Sequence, residues 1–164
     1  MYVITLTQPW ATLVAIGAKK LETRSRRWNY RGPVAVHAGA SFGSIGGAQG
    51  LRDLMLTPAF KQALSDPHII SHPEKYLPFG AIVAVVDQVE CYEIRPKGMY
   101  AHGTTYALPT EPERSFGNYT PGRFAYQWNN VRKLTTPLPW RGSQGVHLLP
   151  PEVVAQVMEQ INAH

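Results

Sequence analysis

Several features that define common protein classes are missing from this chain of 164 residues. A single cysteine, Cys91, excludes an intrachain disulfide framework and is typical of a protein in a reducing compartment. The longest unbroken apolar run, from Ala81 to Val86, is far shorter than the roughly 20 residues that span a bilayer. No apolar segment follows Met1, so we expect no secretory signal, no membrane partner and a cytoplasmic location.

Signals for metal and nucleotide-triphosphate chemistry are also weak. The glycine-rich stretch 43–47 lacks the Gly-Lys-Ser/Thr ending of a phosphate-binding loop. His68 and His72 are four residues apart, but no third ligand at metal-binding spacing accompanies them. The sequence therefore predicts no metal site and no cofactor.

Acidic residues are outnumbered by basic ones. The chain has 11 Asp and Glu against 16 Lys and Arg, a net charge of +5, which favours a polyanionic partner. Six of the 16 cations lie between residues 19 and 31, where Glu22 is the only acid. Such a run is also typical of a solvated surface. However, Trp10, Trp28 and Tyr30 lie nearby, and single-strand binding combines cations for phosphates with aromatic rings for bases.

The apolar periodicity predicts an α+β fold. Strands are expected at 2–7, 20–26, 33–38, 80–93, 123–134 and 145–149, and helices at 9–17, 51–65, 68–76 and 151–162. Residues 39–50 are expected to form a loop, and residues 95–122 a long unstructured one, because both are rich in glycine or proline. In the strand from Lys20 to Arg26, alternate residues are charged, so that face is expected to line a solvated groove.

Three stretches of the chain resemble a known family. They read Gln8-Pro9-Trp10-Ala11, then Gly17-Ala18-Lys19-Lys20-Leu21-Glu22-Thr23-Arg24-Ser25, then Tyr30-Arg31-Gly32 followed by Val34-Ala35-Val36-His37-Ala38. Further matches are Gly80–Val83, Trp128-Asn129 and the turn around Arg141-Gly142. This order resembles the ASCH family (activating signal cointegrator homology), which is similar in fold to PUA RNA-binding domains. The resemblance implies one domain over residues 1–164, a small PUA-like β-barrel flanked by helices, with variable insertions at about 41–76 and 95–122.

The resemblance also implies a cleft beside the Gly-Lys-Glu-Arg segment, which would bind RNA, single-stranded nucleic acid or a modified nucleotide. We expect this nucleic-acid site to be built from cations and aromatic rings, namely Lys20, Arg24, Arg26, Arg31, Arg141, Trp10 and Trp28. Core packing is the alternative for Trp10, whereas Trp28 is the better candidate for stacking on a base.

Two other function classes stay open. Some members of the family are amidohydrolases that remove acyl groups from the N4 amine of cytidine with a Lys-x-x-Thr pair and a Glu. Lys20-Leu21-Glu22-Thr23 has this spacing, so Lys20, Thr23 and Glu22 are candidate catalytic residues of a metal-independent hydrolase of modified nucleosides, or of a nuclease. On a regular strand Lys20 and Thr23 face opposite sides, so both reach one cleft only if the strand is bent or bulged. The third class is a protein-interaction module whose cleft binds no nucleic acid.

The stretch 95–122 is unusually aromatic for a segment rich in proline and glycine. Its rings are Tyr100, His102, Tyr106, Phe116 and Tyr119. Because exposed rings without a partner are unfavourable, we expect them either to form a partial lid over the cleft or to pack on the sheet as a structural cover.

Overall fold

The structure is a computed structural model that describes residues 1–162. The strands are β1 (Tyr2–Leu6), β2 (Leu21–Arg24), β3 (Gly32–Ala38), β4 (Ala81–Arg95), β5 (Gly98–Ala101), β6 (Thr104–Tyr106), β7 (Phe124–Pro139) and β8 (Val146–Leu148). The helices are α1 (Trp10–Ala15), α2 (Gly47–Met55), α3 (Pro58–Ala63), α4 (Pro67–Ser71), α5 (Pro73–Tyr76) and α6 (Pro151–Asn162), with a 3-10 helix at Glu113–Phe116. No helix within residues 1–162 is long and apolar enough to cross a membrane.

All eight strands belong to one mixed sheet, whose main path is β2-β7-β4-β3-β1-β8. Only β1 and β3 pair in parallel, and the β5–β6 hairpin extends the sheet from the end of β4. The predicted α+β class is confirmed. A barrel is not confirmed, because no pairing between described residues joins β2 to β8 and the sheet stays open along that seam.

Strand β4 explains why the longest apolar run of the sequence is continuous rather than alternating. Both faces of its first half are covered, so every residue from Ala81 to Val86 is buried. Val83 and Val86 pack on one side with α1, whereas Ile82 and Val85 pack on the other side with α6. The predicted helices at 9–17 and 151–162 are confirmed as α1 and α6.

Two stretches differ from the sequence-based prediction. Helix α2 begins at Gly47, inside the predicted loop 39–50. Residues 47–76 form four short helices around a small apolar core, and the breaks at Pro58, Pro67 and Pro73 are those that the sequence predicts. Residues 95–122 are not unstructured, since they contain β5, β6 and the 3-10 helix. Pro96 and Gly98 mark a tight hairpin turn, in which Arg95 pairs with Gly98, rather than an irregular loop.

Candidate functional site

A cleft of about 1190 Å³ lies along the open seam of the sheet. Both edges of the open sheet contribute to its lining, through Glu22–Arg24 of β2 and Val146 of β8. Further walls come from residues 4–7, 25–28 and 115–118, and from Gly39, Ser41 and residues 43–45. The candidate site therefore lies where the sheet stays open, between β2 and β8.

Arginine dominates the charge of this cleft. Its lining includes Arg24, Arg26, Arg27 and Arg123 but only one carboxylate, Glu22. That carboxylate is neutralised within the protein, since Arg24 Nε donates to Glu22 Oε1 at 2.8 Å and Lys19 Nζ lies 3.4 Å from Glu22 Oε2. The charge left facing a ligand is positive.

Lys19 is the lysine that meets Glu22, and it is only 1% exposed. Besides the carboxylate, its ammonium donates to the main-chain carbonyls of Leu21 and Phe116. These carbonyls use two of the three N–H donors of the lysine, and the contact with Glu22 at 3.4 Å is an ion pair. Lys19 therefore joins β2 to the 3-10 segment, and its burial keeps the ammonium group away from a ligand in the cleft.

Lys20, which the sequence placed in the cleft, lies elsewhere. The strand begins at Leu21, and the N–H groups of Lys20 and Leu21 both donate to the Glu113 carboxylate, which fixes how the chain enters β2. The exposed Lys20 side chain lines a smaller pocket of about 450 Å³ with Tyr92 and Met99. Glu22 and Thr23 line the large cleft without it. The prediction that Lys20 faces the large groove is thus wrong. Catalysis by Lys20, Thr23 and Glu22 stays a prediction, and the structure does not bring these three side chains together in one cleft.

The other predicted cations differ in whether their side chains already bind another part of the protein. Arg24 joins the two sides of the seam, because its Nη2 donates to the Thr5 carbonyl at 2.8 Å. Arg26 is exposed and has no hydrogen-bond or ion-pair partner for its side chain within residues 1–162. Arg31 forms an ion pair with Glu90 outside the cleft, and Arg141 is exposed beside the cleft-lining residues 144–146 without lining it.

Both predicted tryptophans line the cleft and are half-buried. Trp28 stacks on Tyr30, with ring centroids 5.2 Å apart and an interplanar angle of 18°. Trp10 meets Phe60 edge to face at 5.8 Å, so it also packs on the helical insertion. Trp28 also meets Tyr2 and Tyr126 edge to face, at 5.6 Å and 5.7 Å. Both tryptophans are therefore held by other rings of the protein while they contribute to the cleft wall.

Residues 25–30 form no strand, and two core side chains hold their backbone in place. The amide of Gln88, which is 1% exposed, donates to the carbonyls of Trp28 and Tyr30. The Tyr126 hydroxyl donates to the Arg26 carbonyl at 2.6 Å, and burial raises the pKa of Tyr126 to about 12. These bonds fix the main chain of residues 25–30 on the core side, while the Arg26 side chain is exposed and lines the cleft.

A buried histidine supports the far wall of the cleft. His37 accepts from the Thr5 hydroxyl through Nδ1 and donates from Nε2 to the Trp140 carbonyl at 2.9 Å, an assignment that follows from the carbonyl being an acceptor only. Gly142 packs so closely on this imidazole that a Cβ there would lie 2.3 Å from it. His37 thus fixes the turn that leads into the cleft-lining residues 144–146.

The aromatic residues of the predicted lid pack mostly on the protein. Phe116 and Tyr119 are buried in two different apolar clusters, and Tyr100, His102 and Tyr106 belong to the β5–β6 hairpin. Residues 115–118 line one side of the cleft, and Thr23 Oγ1 accepts from the N–H of Asn118. Residues 115–118 therefore form one side of the cleft and are hydrogen-bonded to β2. That the segment 95–122 moves as a lid stays a prediction.

Sequence reasoning missed Lys19, Arg27, Arg123 and Tyr126. The family-like spacing Gly-x-Lys-x-x-Glu-x-Arg, counted from Gly17, falls on Lys19 rather than Lys20 and could have identified it. No local signal exists for Arg123, which reaches Thr23 across 100 positions of the chain.

One enzyme-like sequence pattern lies at the cleft. The stretch from Gly39 to Gly43 has the spacing of a Gly-x-Ser-x-Gly nucleophile elbow. Its central residue, Ser41, lines the cleft but has no histidine partner within residues 1–162, so it lacks a base. In the same range, no group of three or more His, Cys, Asp and Glu is arranged to hold a metal ion.

Comparison with known proteins identifies the fold. No protein-family model matches the sequence, and no curated protein matches it. Among solved structures, the chain is similar to ASCH from Zymomonas mobilis, with a TM-score of 0.50 and 12% identity over 96% of this chain and 93% of that chain. A mutant of the same protein gives a TM-score of 0.52 and 12% identity over 96% of both chains. The chain described here therefore has an ASCH-like fold.

Proposed function

We propose that the cleft binds single-stranded nucleic acid, RNA in the first instance. The observation that carries this proposal is the surplus of arginine around one internally neutralised carboxylate. A cleft lined by one sign of charge attracts ligands of the other sign. Phosphate groups are the polyanions that guanidinium groups bind best, through paired N–H donors.

Two of the arginines have donors that the protein does not use. Arg26 has no side-chain partner among the described residues, and the buried Nε of Arg123 has no hydrogen-bond partner there. The exposed donors of Arg26 are the ones that a phosphate oxygen in the cleft can reach, with a charge-assisted hydrogen bond. Ser41 and Ser44 line the same space and offer hydroxyl groups to a sugar-phosphate chain.

The aromatic walls favour a single strand over a duplex. Trp28 and Trp10 both line the cleft, and a base must be unpaired and unstacked to lie on such a ring. The sequence resemblance to the ASCH family implies the same class of partner. Arg26, Arg123 and Arg27 are the proposed phosphate contacts, and Trp28 is the proposed stacking residue.

The test is binding of fluorescently labelled single-stranded RNA, measured by anisotropy over a series of salt concentrations. We expect the affinity to fall with salt, with a log–log slope of about −0.7 per phosphate contact. Arg26→Gln should weaken binding and make the slope shallower by about 0.7.

Arg52→Gln is the matched control, since Arg52 is an arginine of helix α2 that pairs with Glu74 and does not line the cleft. Equal losses for the two variants, or wild-type binding that ignores salt, would contradict the proposal. Absence of any RNA or DNA binding would favour the protein-interaction class instead.

A further inference from the structure

The β5–β6 hairpin and the end of β4 form an arm, residues 90–106, that extends from the sheet beside the cleft. Pairing aligns four residues across this arm and the start of β7: Phe124 opposite Glu93, Glu93 opposite Tyr100, and Tyr100 opposite Thr105. Residues directly opposite each other in a sheet share a face. Phe124, Glu93, Tyr100 and Thr105 therefore form one row, which spans about 14 Å at the usual 4.8 Å between strands.

This row lies on the same face of the sheet as the cleft. Two residues further along the ladder, Cys91 pairs with Tyr126, and Tyr126 lines the cleft. Side chains two residues apart on a strand point to the same side, so the row is about 7 Å from the Tyr126 position. Arg27 joins the two places, because it lines the cleft and its guanidinium lies 5.0 Å from the centre of the Phe124 ring.

The opposite face of the arm is already covered by the protein. Ile94 and Met99 point to that side and are buried, 1% and 7% exposed, in a cluster with Leu21 and Tyr119. The row is less covered, since Tyr100 and Phe124 are half-buried and Thr105 is exposed. Phe124 also packs at the margin of the apolar cluster that contains Tyr126 and Trp128. Only one face of the arm is therefore available to a partner.

Cations are arranged over the open face. The Arg95 guanidinium lies 3.5 Å from the centre of the Tyr100 ring, and its Nη2 donates to Glu93 Oε2 at 2.9 Å. Arg27 approaches the same carboxylate at 3.6 Å, and the side chains of both arginines are 44% exposed. Lys97, in the hairpin turn, is exposed and its side chain has no partner among the described residues. Three cations thus accompany one acid.

We propose that this face is a ledge that continues the nucleic-acid path out of the cleft. A strand that leaves the cleft past Arg27 would place phosphates on Arg95 and Lys97 and stack a base on the Arg95 and Tyr100 planes, since a guanidinium plane stacks on bases as an aromatic ring does. Charge complementarity and the shared Arg27 make single-stranded nucleic acid, rather than a protein, the occupant. This inference rests on the proposed function and extends its footprint beyond the cleft.

The test is the dependence of affinity on RNA length, using labelled single-stranded homopolymers from about 4 to about 12 nucleotides, within the range that one small domain covers. Wild-type affinity should rise with length and then level off. The variant Arg95→Gln/Lys97→Gln should bind the shortest RNA as the wild type does but lose about tenfold in affinity for the longest. A second variant, Tyr100→Ser, should lose length dependence in the same way without a change of charge.

Lys61→Gln is the control for the loss of a distant positive charge, since Lys61 lies on helix α3 and its side chain has no partner within residues 1–162. If wild-type protein binds RNA but the arm variants keep the full gain with length, the ledge is refuted and the cleft proposal stands. If the wild type binds no RNA of any length, the proposed function itself fails. Loss of binding to short and long RNA alike, as Arg26→Gln should give, would also overturn the ledge, because it would place Arg95 and Lys97 in the primary site.

Discussion

Replacing Lys19 with methionine tests whether the cleft is built on the buried ammonium group described above. Methionine keeps most of the apolar contacts of the lysine side chain but none of its donors. The carbonyls of Leu21 and Phe116 then lose a partner in a buried position, at about 1–3 kcal/mol each. Loss of one partner from a buried ion pair typically costs roughly 3–5 kcal/mol. Because Glu22 keeps its contact with Arg24 at 2.8 Å, this figure is an upper limit for the cost at the Glu22 carboxylate.

The two carbonyls alone are therefore expected to make Lys19→Met lower the free energy of unfolding by about 2–6 kcal/mol. Urea unfolding followed by tryptophan fluorescence is the assay. With an m-value of about 2 kcal/mol/M, the midpoint should fall by about 1 M or more.

The neighbouring residue provides the control for this experiment. Lys20→Met removes the same charge from an exposed side chain and should change stability by no more than about 0.5 kcal/mol. If the two variants unfold at the same urea concentration, or if Lys20→Met is the more damaging, the assignment of Lys19 as the structural lysine is wrong.

Two further predictions concern His37. Burial lowers its pKa, against the opposing effect of its hydrogen bond to the Trp140 carbonyl, so the unfolded chain takes up this proton at higher pH than the folded one. The stabilisation from neutral His37 is therefore present above about pH 6.5 and is lost as the pH falls below that value. The urea midpoint should decrease between pH 7.5 and pH 5.5 in the wild type and much less in His37→Gln. Parallel pH dependence of the two midpoints would refute this. Gly142→Ala places a Cβ 2.3 Å from the imidazole and should lower stability by about 1–3 kcal/mol, whereas Gly39→Ala, with no neighbour nearer than 3.5 Å, should be almost neutral by thermal melting.

The elements that sequence predicts well are those with a local cause. Helix α1 follows from Gln8, whose side chain accepts from the N–H of Thr12, and from Gly17, which ends the helix at φ +75°. Strand β4 follows from its apolar run bounded by Gly80, because burial on both faces requires such a run.

The candidate site was predictable in composition but not in arrangement. The basic stretch 19–31 does supply Arg24, Arg26 and Trp28 to the cleft. Which of Lys19 and Lys20 points inward depends on the residue at which β2 begins, because a shift of one position moves every side chain to the other face. That start is set by Glu113, more than 90 residues away along the chain, and no local pattern contains this information.

The open seam also bears on how this protein avoids binding to itself. A strand at the edge of a sheet offers unpaired backbone groups to any other strand, including the same strand of a second copy. Here Glu113 takes the N–H groups of Lys20 and Leu21, and the arginines of β2 and the following residues surround the rest of that edge with like charges. The arginines that we propose as ligands of a polyanion would therefore also oppose the pairing of this edge with a second copy. We expect apolar replacements of these arginines to expose an edge that is prone to aggregate.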